Sequence, residues 1–209
     1  MTVKEQIAAN YLIPVVVIDD AARVGDAAEA VRAGGLDIIE ITLRTPAAME
    51  AIANVARSCP SMLVGGGTVL SLDKCKEAVS LGASFITSPG FDPVIVDYCI
   101  KNNITIFPGC VTPTEIMAAI EAGLEVVKFF PATLYGGLKA IKTLSGPFPN
   151  IRFLPSGGID QTNLAEYITP KVFAIGGNWL CTRESILTGD YAAITRTCEQ
   201  SLVLVKQLR

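Results

Sequence analysis

Residues 37–46 read Asp37-Ile38-Ile39-Glu40-Ile41-Thr42-Leu43-Arg44-Thr45-Pro46. Successive side chains of an extended strand point to opposite faces, so Ile39, Ile41 and Leu43 share one face while Glu40, Thr42 and Arg44 share the other. The run that follows, Pro46 to Arg57, repeats its apolar residues at helical spacing. Strand and helix together make one βα unit. If the apolar set packs against helices, the charged set faces the inside of the sheet.

The alternation of short apolar run and helical segment recurs along the chain, which argues a parallel sheet built from βα units. The expected strands are Ile13–Ile18, Asp37–Thr42, Met62–Gly66, Ser84–Thr87, Thr105–Phe107, Val126–Phe129, Arg152–Leu154 and Val172–Ile175. Helices are expected over Asp20–Ala33, Pro46–Arg57, Leu72–Leu81, Pro93–Asn102, Pro113–Ala122, Gly137–Leu144 and Asp160–Ile168, with a leading one at Val3–Asn10 and a final one from Tyr191 to Leu208. Thr45-Pro46, Asp92-Pro93 and Thr112-Pro113 each place a capping oxygen before a proline suited to the first helical position, and Gly34, Gly82 and Gly123 stop helices. No low-complexity linker interrupts the 209 residues. The expectation is an α/β protein, a single (β/α)8 TIM barrel spanning 1–209 as one domain with an extra N-terminal helix. An open doubly wound sheet is the competing arrangement.

Composition narrows the function. The chain is 50% hydrophobic and 18% charged, which excludes a disordered chain. A net charge of -3 with scattered lysine and arginine offers a nucleic acid no basic stripe. No apolar run is long enough to span a membrane, and the first residues lack a signal peptide's pattern, so a soluble cytoplasmic protein is expected. The six cysteines include no Cys-x-x-Cys pair, and histidine is absent. Neither a zinc site nor histidine-based catalysis is signalled, and no cofactor or metal is expected.

Chemistry is therefore sought at the C-terminal strand ends, where barrels of this type carry their active sites. Glu40 and Arg44 lie there by the alternation above, unless they form a purely structural ion pair. In Glu125-Val126-Val127-Lys128-Phe129-Phe130-Pro131, Lys128 shares a face with Val126 and Phe130 and points inward. An amine in an apolar pocket loses its charge more readily and can then attack a carbonyl; a lysine reaching solvent or pairing with Glu40 is the plainer reading. Val64-Gly65-Gly66-Gly67-Thr68 lets backbone approach a ligand and offers the Thr68 hydroxyl. Pro155-Ser156-Gly157-Gly158 and Ile175-Gly176-Gly177-Asn178 end the last two strands with glycine turns, where such barrels hold phosphate.

These motifs, together with Ser88-Pro89-Gly90 and Pro108-Gly109, occur in an order and spacing that closely resemble the family of 2-keto-3-deoxy-6-phosphogluconate (KDPG) aldolase and 4-hydroxy-2-oxoglutarate aldolase over almost the whole chain. The resemblance implies a class I, metal-independent aldolase that splits a phosphorylated sugar acid into pyruvate and glyceraldehyde 3-phosphate, with Lys128 forming the Schiff base and Glu40 as general acid/base. It also implies that Arg44 and Thr68 hold the substrate carboxylate, that Pro89 and Phe130 wall the pyruvyl pocket, and that Ser156, Gly157, Gly158, Gly176, Gly177 and Asn178 receive the phosphate. A homotrimer is a further implication. Ser156 and Asn178 depart from the threonine and serine common in the family, and Gly66 stands where alanine is frequent. Alternatives are a preference for 4-hydroxy-2-oxoglutarate or for the galactonate epimer, and, in another class, a non-catalytic barrel that binds a phosphorylated ligand.

Overall fold

The computed structural model describes residues 1–209. Helix α1 (Val3–Asn10) leads into strand β1 (Leu12–Val16), and strand and helix then alternate. The order is α2 (Val24–Ala33), β2 (Ile38–Thr42), α3 (Ala48–Ser58), β3 (Leu63–Gly67), α4 (Leu72–Ser80), β4 (Phe85–Thr87), α5 (Pro93–Lys101), β5 (Thr105–Phe107), α6 (Pro113–Glu121), β6 (Val126–Phe129), α7 (Gly137–Leu144) and β7 (Arg152–Pro155). Then come β8 (Ile175–Gly177), α8 (Arg183–Thr188) and α9 (Tyr191–Leu208). Six strands form one curled parallel sheet in the order β5-β4-β3-β2-β1-β8, and β6 pairs with β7 in a second.

Discrete hydrogen bonds join the two sheets. Lys128 N–H donates to Pro108 O and Cys110 N–H to Lys128 O, both at 2.9 Å, tying β6 to the chain just after β5. On the other side, Phe173 N–H donates to Phe153 O at 2.7 Å, and Ser156 of β7's end bridges Gly176 of β8.

Alternation sorts the side chains into two cores. Ile39 and Ile41 of β2, Val64 of β3, Ile86 of β4 and Val127 and Phe129 of β6 pack outward among the helices. Inside lies a cluster of ten buried residues that takes Ile13, Ile38, Leu63, Phe85, Phe107, Val126 and Leu154 from β1 to β7 and Phe173 from just before β8. Ile7 of α1 joins this cluster, so the N-terminal helix covers the end of the sheet opposite the polar residues. Burying these side chains contributes roughly 1.5–3 kcal/mol each.

Four local expectations need correction. The last strand is not Val172–Ile175 but Ile175–Gly177: Val172 bridges Phe153 of β7, after which the chain changes partner and Leu12, Ile13 and Pro14 of β1 pair with Ile175, Gly176 and Gly177. The helix expected over Asp160–Ile168 is only a 3-10 turn, Leu164–Tyr167. There the Asp160 carboxylate accepts from the Thr162 N–H and hydroxyl, Asn163 Oδ1 accepts from the Asp160 N–H, and these local bonds compete with helical ones. Thr45 does not cap α3; its hydroxyl donates to Ile18 O, and the helix begins at Ala48 without a side-chain cap. The short helix α8 was not anticipated, although Thr182 caps it. The caps expected at Asp92 and Thr112 are present, Thr112 in a reciprocal box with Glu115.

Candidate active site

Three inward side chains from three strands meet at the C-terminal end of the sheet. Lys128 Nζ of β6 donates to Glu40 Oε1 of β2 at 2.9 Å and to Thr87 Oγ1 of β4 at 3.0 Å, and the Thr87 hydroxyl donates to the same Glu40 oxygen at 2.8 Å. Lys128 is 6% exposed and the other two are fully buried. Glu40 Oε2 is also buried and makes no hydrogen bond. The lysine is thus not alone among apolar groups: beside it lies a carboxylate able to take up the proton an attacking amine must lose.

Glu40 reaches its partners by crossing β3, and β3 permits this because residue 67 is glycine. A Cβ there would fall 2.3 Å from Glu40 Oε1. Gly65 makes room in the same way for the Phe85 ring, whereas a Cβ on Gly66 would meet Ala78 and Ile86 no closer than 3.3 Å. The three glycines therefore differ in function: two are cut-outs for inward side chains and one faces the helices.

Lys128 lines a narrow cleft with Val15, Arg44, Thr68, Pro89, Phe130 and Ser156. Its ammonium lies 5.9 Å from the centre of the Phe130 ring. Arg44 is exposed, forms no ion pair, and its Nε donates to Thr68 Oγ1 at 3.3 Å. Thr68 holds φ at 57°, a left-handed conformation that a β-branched residue adopts only under strain. Thr42, the remaining polar residue of the β2 face, donates its hydroxyl to Val16 O at 2.8 Å and so serves the sheet.

Next to the cleft, Ser156 is 5% exposed and packs on Gly176. Gly157 and Gly158 take φ of 94° and 78°, a conformation open to glycine and costly for other residues. Asn178 is exposed just beyond Gly177. The residues singled out in the sequence thus gather at one end of the sheet, around a small cleft and an adjoining glycine loop pair. Thr87 and Val15 were missed; for Thr87 the signal was available, since alternation puts it on the inward face with Phe85. No three acidic or thiol side chains lie close enough together to hold a metal ion.

The family model for KDPG and KHG aldolase matches residues 3–197. The chain is 42% identical to 2-dehydro-3-deoxy-phosphogluconate aldolase of Treponema pallidum over 98% of both chains. It is 37% identical to KHG/KDPG aldolase of Escherichia coli, over 91% of this chain and 90% of the relative. Among solved structures, KDPG aldolase of Legionella pneumophila, with pyruvate captured at low pH as a covalent carbinolamine intermediate, superposes with a TM-score of 0.92 at 36% identity, covering 95% of this chain and 97% of that one. The chain belongs to the KDPG and KHG aldolase family.

Proposed function

We propose that this chain is a class I, metal-independent aldolase that cleaves 2-dehydro-3-deoxy-6-phosphogluconate to pyruvate and glyceraldehyde 3-phosphate through a Schiff base on Lys128. The observation that carries the reading is the buried Lys128–Glu40 pair, 2.9 Å apart, beside a cleft with an unpaired arginine. The relatives' names and the pyruvate carbinolamine of the Legionella enzyme support it.

Lys128 yields a proton to Glu40, and the free amine adds to the C2 carbonyl: the N–C bond forms and the carbonyl π pair moves to oxygen, which Glu40 protonates. Glu40 then carries one of the nitrogen's two protons to that oxygen, which leaves as water and gives a protonated imine. Glu40 next takes the C4 hydroxyl proton; the oxygen's electron pair becomes the aldehyde carbonyl, the C3–C4 bond breaks, and its electrons run into the imine to give an enamine. Reprotonation at carbon and addition of water release pyruvate and restore the amine. In this scheme Arg44 grips the substrate carboxylate with a charge-assisted fork beside the Thr68 hydroxyl, and Pro89 and Phe130 wall the pyruvyl group. Ser156, Gly157, Gly158, Gly176, Gly177 and Asn178 receive the phosphate.

The same proposal takes residues 1–209 as one domain whose two sheets close into an eight-stranded barrel; the seam hydrogen bonds and an interior cluster drawing on β1 to β7 and on the residues just before β8 support closure. A cytoplasmic homotrimer completes it, on family likeness alone; no helix of the chain is long and apolar enough to cross a membrane. A second reading, preference for 4-hydroxy-2-oxoglutarate, is favoured by the exposed amide of Asn178 in the loop pair and by the bifunctional name of the E. coli relative.

Cleavage rates on the phosphogluconate derivative, its galactonate epimer and 4-hydroxy-2-oxoglutarate decide between them. The proposal expects fastest cleavage of the first and none by Lys128→Ala. Wild-type turnover in that variant would remove Lys128 from the mechanism, and folded wild-type protein inert toward all three would favour a ligand-binding barrel.

A further inference from the structure

We propose that Thr87 is a positioning residue for the Lys128 amine, its hydroxyl fixing the direction in which the nucleophile's lone pair points; the inference rests on the aldolase reading above. A threonine hydroxyl has one proton to give and lone pairs with which to accept. Its proton goes to Glu40 Oε1 at 2.8 Å, so toward Lys128 Nζ, 3.0 Å away, Thr87 acts as acceptor.

A neutral amine is tetrahedral, with two N–H bonds and one lone pair besides its carbon. Glu40 Oε1 at 2.9 Å and Thr87 Oγ1 at 3.0 Å give those two N–H bonds separate acceptors. The remaining direction, the lone pair, is left for the cleft bounded by Arg44, Thr68, Pro89 and Phe130. Once a proton has passed to Glu40, the amine reaches this arrangement by turning about its Cε–Nζ bond, with the carboxylic proton held on Oε2, which is buried and otherwise without a partner. Without the Thr87 hydroxyl the amine is tied at one point, turns about its Cε–Nζ bond, and presents its lone pair to the carbonyl only part of the time. The Thr87 hydroxyl contacts Lys128 and Glu40, so its effect reaches the substrate through them.

The fold gives Thr87 no other evident task for that hydroxyl. The residue is fully buried, its neighbour Ile86 packs outward with the helices, and Phe85, two residues earlier on the same face, fills the interior cluster. A valine would occupy nearly the same space at this strand end. Selection of a hydroxyl there points to the two polar partners rather than to packing.

The test compares wild type, Thr87→Val and Thr87→Ser in three assays: kcat and KM for the best of the three substrates, the rate at which pyruvate and borohydride label Lys128, and thermal unfolding. Thr87→Val should stay folded, lose roughly 10- to 100-fold in kcat and in labelling rate, and change KM by less than about threefold, since only orientation of the attacking group is lost. Thr87→Ser, which restores a hydroxyl, should recover most of both rates. If the valine variant does not fold, Thr87→Ala, which adds no bulk, carries the same comparison with serine. A folded Thr87→Val with wild-type kcat and labelling overturns the inference, as does a folded Thr87→Ser no faster than valine. Failure of wild type to label with pyruvate at all would instead sink the aldolase reading, so the two failures are distinguishable.

Discussion

Replacing Gly67 by alanine adds one methyl group outside the reacting atoms, yet it should disable the site. The added Cβ would fall 2.3 Å from Glu40 Oε1, 2.8 Å from its Cγ and 2.9 Å from its Cδ, whereas ordinary contact begins at 3.4 Å. The carboxylate must therefore shift by about 1 Å off β3, and since Glu40 is fully buried its surroundings must adjust with it. A displacement of that size is expected to distort the 2.9 Å bond to Lys128. Separating a buried ion pair typically costs about 3–5 kcal/mol when one partner is lost outright, so a distorted pair should cost somewhat less, roughly 2–3 kcal/mol. Loss of a positioned acid/base group lowers turnover by about 10²- to 10⁴-fold. Steady-state cleavage assays and urea unfolding on Gly67→Ala, with Gly66→Ala as control, measure both effects. The control meets its neighbours at 3.3 Å and should stay within about 1 kcal/mol of wild type, with comparable turnover. A folded Gly67→Ala that turns over like wild type would refute the view that Glu40 must lie across β3.

Thr68→Gly should relieve the left-handed strain at φ 57°, worth about 1–3 kcal/mol, against a glycine entropy cost of about 0.5–1 kcal/mol. Stability should rise by roughly 1 kcal/mol while KM for the keto acid increases; lower stability with unchanged KM contradicts this. Burial works against charge on Glu115, but bonds from the Val111 and Thr112 N–H groups prevail and hold its carboxyl below the usual range. Its stabilisation is present above the unfolded value, about pH 4.3, and is lost as pH falls through the lower folded value, so the wild-type advantage over Glu115→Gln in unfolding experiments should shrink as the pH drops below that point. Five of the six cysteines are buried, and burial pushes the thiols of Cys110 and Cys198 up to about 12. A thiol reagent near pH 8 should label native protein at Cys59 alone, with the others reacting only after unfolding; rapid labelling of Cys110 would contradict the burial.

Alternation made the two decisive strands legible. Glu40 and Lys128 each sit between outward residues that pack on helices, Ile39 and Ile41 for one, Val127 and Phe129 for the other, and the period of two carried both to the interior. What alternation does not report is which inward side chains touch. That depends on strand order and on Gly67 as a gap: a Lys128–Glu40 pairing is among the readings the sequence offers, whereas Thr87's place in the triangle emerged only in three dimensions. The expected apolar pocket around Lys128 proved polar on one side for the same reason. Errors clustered where local polar bonds or a change of partner override apolar pattern. Asp160 and Asn163 hold their segment in turns, Thr45 spends its hydroxyl on the β1 loop, and Val172–Ile175, although apolar throughout, splits its pairing between β7 and β1.

The central claim is that one buried amine bonds covalently with a keto acid. Native protein incubated with pyruvate and borohydride, digested and mapped by mass, should carry a reduced pyruvyl group on Lys128 and on no other lysine. Folded protein that stays unmodified at Lys128, or carries the label elsewhere, contradicts the account.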